Sequence, residues 1–145
     1  MTGTIPANLM LRHMYFLDLG RNRFRGQLPA DLGVDYVRLR HLYLDNNQFT
    51  GTVPQSIINA GEGRLRSLSL NDNQFVGALP GSHQSTQFLN VFEVQNNNFT
   101  SMDSNANTCN LWVFSGGELV EFNSDCAICG CKNDLCRHCS KNKKN

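Results

Sequence analysis

The residue types best suited to chemistry are concentrated near the C-terminal end. Six cysteines occur in 145 residues, and five of them fall between Cys126 and Cys139. Cys126-x-x-Cys129 and Cys136-x-x-Cys139 are paired knuckles of the kind that hold zinc, because two thiolates at this spacing can share one tetrahedral ion. The loop between them is short for such a site, and Cys109 and Cys131 would be left over. An even cysteine count also suits a disulfide framework, the form thiols take in an oxidising compartment. Disulfides among Cys109, Cys126, Cys129, Cys131, Cys136 and Cys139 are the preferred reading, and zinc at this cluster is the alternative. A redox-active pair would need a strand-to-helix context that the sequence does not provide.

A second candidate is His41 near Asp18 or Asp45. No serine or cysteine nucleophile is placed by sequence at a predictable distance on the same face, so the chain is expected not to be an enzyme and to need no cofactor. A net charge of +1 gives no reason to expect nucleic acid or an anionic membrane as partner. No run of 18 or more apolar residues exists, so no membrane insertion is expected. The opening Met1-Thr2-Gly3-Thr4-Ile5-Pro6 lacks the basic and apolar regions of a signal peptide.

The element that positions these residues is a repeat. Asn22, Asn47, Asn73 and Asn97 are 25, 26 and 24 residues apart, and each is followed two positions later by Phe24, Phe49, Phe75 or Phe99. Ahead of them run Leu17-x-Leu19, Leu42-x-Leu44, Leu68-x-Leu70 and Phe92-x-Val94; three coils continue into Gly26-x-Leu28-Pro29, Gly51-x-Val53-Pro54 and Gly77-x-Leu79-Pro80. Alternating apolar residues suit a short strand with one buried face, and such strands become stable only when successive coils stack. The asparagines are expected to form a ladder that satisfies turn backbone, because a buried amide must find partners. The phenylalanines are expected to fill a second internal column.

This pattern resembles the plant-type, extracellular class of leucine-rich repeat over roughly Gly3 to Phe122. The resemblance implies an α/β-type solenoid: a right-handed coil with a short parallel sheet on its concave face, few or short 3₁₀ segments on its convex face, and a cysteine-rich C-cap. It also implies a non-catalytic recognition module, as in receptor ectodomains or secreted inhibitors, that binds a protein or peptide in an extracellular or lumenal setting. The expected organisation is repeats over 1–108, the first one partial, a cap over 109–140 and a basic tail over 141–145. The cap is similar to that of leucine-rich-repeat proteins from diatoms and related algae, with a cysteine before the last strand and Asp125-Cys126 after it. Cys109 with Cys126 is the preferred first pair, clamping that strand; closing such a loop contributes about 3 kcal/mol in the chain-entropy view.

The sequence departs from the family pattern in several places. The coil at Asn97 lacks the Gly and Pro, so the regular convex turn is expected to stop there. Ala60-Gly61-Glu62-Gly63 reads as a convex-side insertion. The family's N-terminal cap is absent, so the N-terminal edge is expected to expose Ile5, Leu9 and Leu11. On that reading the chain is a fragment, or a structural subunit of a larger multi-subunit assembly docked through that edge.

Side chains flanking the strand leucines point out of the concave sheet. Tyr15, Arg40, Arg66 and Asn90 share one column; Phe16, His41, Ser67, Val91 and Glu121 share the next; Asp18, Tyr43, Ser69 and Glu93 form a third. The expected partner-binding residues are Tyr15, Phe16, Asp18, Arg21, Arg40, His41, Tyr43, Asp45, Arg66, Asn71, Asp72 and Glu93, aromatics and arginines being enriched at binding hot spots. Asn98-Phe99-Thr100 is an N-glycosylation sequon on Asn98.

Overall fold

A computed structural model describes residues 1–7, 9, 12–80, 88–102, 121–125 and 139–140. In chain order the strands are β1 (Thr2–Gly3), β2 (Phe16–Asp18), β3 (Arg23–Gln27), β4 (His41–Tyr43), β5 (Gln48–Gly51), β6 (Ser67–Ser69), β7 (Gln74–Leu79), β8 (Val91–Glu93), β9 (Asn98–Met102), β10 (Glu121–Asp125) and β11 (Cys139–Ser140). A four-residue helix, α1 (Gln55–Ile58), and a 3₁₀ turn, Ala60–Gly63, lie between β5 and β6. The strands form two all-parallel sheets, in the orders β11-β10-β8-β6-β4-β2 and β1-β3-β5-β7-β9. From β1 to β10, strands of one sheet alternate along the chain with strands of the other, which is the mark of a solenoid.

The first sheet has the registers expected of stacked coils. Leu17 lies opposite Leu42, Leu42 opposite Leu68, Leu68 opposite Phe92, and Phe92 opposite Phe122. Leu17, Leu42, Leu68 and Phe92 are buried in one continuous core with Leu44, Leu70 and Val94. Backbone bonds carry each coil onto the next beyond the strand ends, from Leu19 N to Tyr43 O (2.9 Å), Leu44 N to Ser69 O (2.8 Å) and Leu70 N to Glu93 O (2.8 Å).

The asparagine ladder forms as expected. Asn73 Oδ1 accepts from Phe49 N (3.0 Å), and Asn73 Nδ2 donates to Leu44 O, Leu70 O and Asn71 O at 2.9, 3.2 and 3.2 Å. Asn47 serves Phe24 N, Leu19 O, Leu44 O and Asp45 O in the same way, and Asn97 serves Phe75 N, Leu70 O, Val94 O and Gln95 O. Each amide thus ties the turn of its own coil to the coil before it. Behind the ladder, Phe24, Phe49, Phe75 and Phe99 stack with ring centroids 6.1, 6.1 and 6.2 Å apart.

The second sheet was not anticipated. The Gly-x-Leu-Pro pattern suggested a chain that turns and returns extended or as short 3₁₀ along the convex side; β3, β5, β7 and β9 instead pair as strands that carry the phenylalanine inward and mostly polar residues outward, Val76 and Ala78 of β7 excepted. Glycine makes the close stacking possible: Gly51 has φ +75°, and a Cβ there would lie 2.8 Å from Gln27 Cγ. The coil at Asn97, without its Gly and Pro, still contributes β9, with a register shift between Gly77 and Ala78. The insertion at Ala60–Gly63 folds back so that Gly61 N donates to Tyr36 O at 2.7 Å.

The expectation of a bare N-terminal edge is corrected. Ile5 is 6% exposed and belongs to the core, and Leu9 is half-buried against it. β1 pairs with β3, Thr2 opposite Arg23 and Gly3 opposite Phe24, so the half-coil lies over the first full coil and covers its own apolar residues. Leu11 lies outside the described residues. So do Cys109, Cys126, Cys129, Cys131 and Cys136 and most of the cap; Cys139 enters only through the backbone of β11.

Candidate functional site: the concave sheet

Outward positions of the first sheet follow the three columns read from sequence. Phe16 lies opposite His41, His41 opposite Ser67, Ser67 opposite Val91, and Val91 opposite Glu121. Asp18, Tyr43, Ser69 and Glu93 succeed one another in the same registers. The column of Tyr15, Arg40, Arg66 and Asn90 is joined through backbone, Arg40 N to Tyr15 O, Arg66 N to Arg40 O and Asn90 N to Arg66 O.

Phe16, Asp18, Gly20, Arg21, Tyr43, Asp45, Ser69 and Glu93 line a groove of about 370 Å³ at the downstream end of these strands. Six of them were expected partner-binding residues; Gly20 and Ser69 were not on that list. Phe16 is 51% and Tyr15 53% exposed, although both are large aromatics. Phe16 packs against Tyr43 with centroids 5.3 Å apart and against His41 at 5.8 Å. A half-exposed aromatic on a rigid sheet is an anchor available to a partner.

The groove is rich in carboxylates held by neutral donors. Asp18 Oδ1 accepts from Gly20 N (2.9 Å), Asp45 Oδ2 from Asn46 Nδ2 (3.1 Å), and Glu93 Oε2 from Ser69 Oγ (2.8 Å). Gly20 occupies the position that Asp45, Asn71 and Gln95 take in later coils. A Cβ at Gly20 would sit 2.6 Å from Asp45 Oδ1 and 3.1 Å from Asp18 Oδ1, so the missing side chain lets carboxylates from two coils converge. The sequence carried this signal as the one glycine in an otherwise polar column.

The upstream end of the face is basic and aromatic. Arg40 lies over the Tyr15 ring, 5.9 Å from its centroid, while Arg40 Nη1 donates to Leu39 O (2.9 Å) and Gly61 O (3.3 Å). His41 contacts Tyr15 and Phe16, and its pKa is lowered by burial first and by the Arg66 charge second. Contrary to expectation, a serine does reach this histidine: Ser67 Oγ lies 3.1 Å from His41 Nδ1. Ser67 is only 6% exposed, and no carboxylate among the described residues bonds the ring to complete a relay. The pair cross-links β4 and β6.

Asn71 and Asp72 lie off the groove. Asn71 is 8% exposed and donates through Nδ2 to Asp72 Oδ2 (2.7 Å), which puts it out of a partner's direct reach; Asp72 Oδ1 accepts from Asn96 Nδ2 (2.7 Å). Asn98 begins β9 in the second sheet, where it is exposed. Among the described residues no group of three His, Cys, Asp or Glu side chains could hold a metal ion, and no helix is long and apolar enough to cross a membrane.

Two stacked parallel sheets, an asparagine ladder and a phenylalanine column define this protein as a leucine-rich-repeat solenoid of about four turns. Residues 38–60 and 64–85 match the leucine-rich-repeat family model. Over 56 residues, 39% of the chain, it is 45% identical to receptor-like protein 45 of Arabidopsis thaliana, of which the match spans 6%. The structure of the Arabidopsis receptor kinase HAESA in complex with the peptide hormone IDA and the co-receptor SERK1 is similar over 69% of this chain and 16% of that one, with a TM-score of 0.62 and 30% identity. The structure of pollen receptor kinase 3 matches 92% of this chain and 61% of that one, with a TM-score of 0.74; at 23% identity the likeness is one of fold. These likenesses support a plant-type leucine-rich-repeat kinship.

Proposed function

We propose that the chain is a non-catalytic recognition module that takes a protein or peptide on the concave sheet, in an extracellular or lumenal setting. The observation that carries this reading is the groove lined by Phe16, Tyr43 and their polar neighbours. It joins half-exposed aromatics to convergent polar groups on a rigid sheet. Tyr15, Arg40, His41 and Arg66 extend the surface upstream. The HAESA complex, which holds a peptide hormone and a co-receptor, agrees with such a role. Burial of Ile5 weighs against docking through the N-terminal edge. Panning a random dodecapeptide phage library on the immobilised chain is expected to yield binders that are lost on a Phe16→Ala/Tyr43→Ala variant. Recovery only of binders indifferent to that change contradicts the reading.

The setting rests on the kinship with receptor-like proteins and on the six cysteines. Residues 109–140 are assigned as a disulfide-sealed cap, and Asn98, exposed on β9, as a glycan acceptor. Reduction is expected to raise the intact mass by about 6 Da, two hydrogens for each bridge. Retention of zinc by the native chain, with no mass change on reduction, contradicts the sealed cap.

A further inference from the structure

The geometry points to a cationic ligand: we propose that the groove seats an arginine or lysine side chain of an extended peptide between Asp18 and Asp45, its stem lying on Phe16 and Tyr43. This rests on the concave-face reading above and adds the chemistry of what binds there.

The charge balance is the first argument. Asp18, Asp45 and Glu93 line the groove, and Arg21 is its single cation. Among the described residues the one ion pair is Arg12 with Asp35, elsewhere on the molecule. The groove carboxylates are therefore held only by neutral donors. A carboxylate has about four lone-pair directions, so acceptor capacity remains at each. The second argument is convergence. Because Gly20 has no side chain, Asp18 Oδ1 and Asp45 Oδ1 both approach one point on the groove wall, from different coils. Two anionic oxygens drawn together beside one open backbone position suit a guanidinium or ammonium group that approaches from the groove.

The ring faces supply the rest. Phe16 and Tyr43, 5.3 Å apart, offer apolar surface to a methylene stem and π-density to its charged head. Arg40 and Arg66 at the upstream end repel a cation, which fixes the downstream end as its seat.

The test uses the face-dependent dodecapeptide clones. Their sequences are expected to be enriched in arginine or lysine. A synthetic peptide made from one clone is expected to bind the Asp18→Asn/Asp45→Asn variant about tenfold more weakly, a loss of about 1.4 kcal/mol. Replacing its arginine with isosteric, neutral citrulline is expected to do the same, and binding is expected to weaken as salt rises. An Arg25→Gln control on the second sheet is expected to bind as the parent does. Clones that need Phe16 and Tyr43 but carry no cation, or that ignore Asp18→Asn/Asp45→Asn, overturn the proposal and leave the concave-face reading standing. Absence of any face-dependent clone overturns both.

Discussion

Asn47, Asn73 and Asn97 make the same set of hydrogen bonds in three successive coils, whereas the outward column beside them reads Asp18, Tyr43, Ser69 and Glu93. The interior is a translation of one motif, because each coil must satisfy the turn of the one before it and fill the same space behind it. The concave face is less constrained: Ser67 and Ser69 are buried, but Tyr15 and Phe16 are half exposed, so each coil can carry different chemistry on the same backbone. The contrast teaches that fold and recognition are separable in this molecule. A change inside should unfold it, and a change on the face should leave it folded and alter what it binds.

That division can be broken most severely inside. Phe75→Ala, which empties a fully buried site between Phe49 and Phe99, is expected to cost about 3–5 kcal/mol in urea unfolding. Asn73→Ala leaves Phe49 N and three carbonyls without their shared partner, with an expected loss of about 2–4 kcal/mol. If either variant unfolds at the parent's midpoint, the ladder and the column are not what hold the coils together.

Smaller effects sharpen the comparison where inside and face meet. Arg21, Asn46, Asp72 and Asn96 precede the ladder asparagines with φ of 52°, 51°, 55° and 58°. Asparagine and aspartate tolerate this left-handed region and arginine does not. Arg21→Asn is therefore expected to raise stability by up to about 1 kcal/mol, read as a higher urea midpoint. The smallest effect concerns His41. Its pKa is lowered in the folded chain, so the unfolded chain binds the proton first as pH falls. The stability tied to its neutral form is present above the ordinary histidine value of about 6.5 and is lost as pH falls below it. The drop in urea midpoint between neutral and mildly acidic pH is expected to be smaller in His41→Gln than in the parent.

Much of this was legible in the sequence, because the repeat constrains residues at fixed intervals. The Leu-x-Leu and Asn-x-Phe spacings led to the strands, the ladder, the ring stack and the three outward columns, down to Val91 opposite Glu121. The second sheet escaped because Arg23–Gln27 and its counterparts alternate only once or twice before a glycine, and the Gly-x-Leu-Pro pattern argued for a turn. The burial of Ile5 escaped because it depends on β1 pairing across a whole coil with β3. In the groove, the aromatics and carboxylates were found as column members. Gly20 was missed because its contribution is the space it leaves; Ser67 was placed next to His41 in its column, but a register of 26 residues sets their contact distance, which spacing alone does not give.

The central claim, that the interior holds the fold while the face is free to vary, is tested most directly by the urea unfolding free energy of Phe16→Ala/Tyr43→Ala. Loss of the exposed stack between these rings is expected to cost less than about 1.5 kcal/mol, well below the interior variants. A loss as large as that of Phe75→Ala would contradict the account and make the face part of the core.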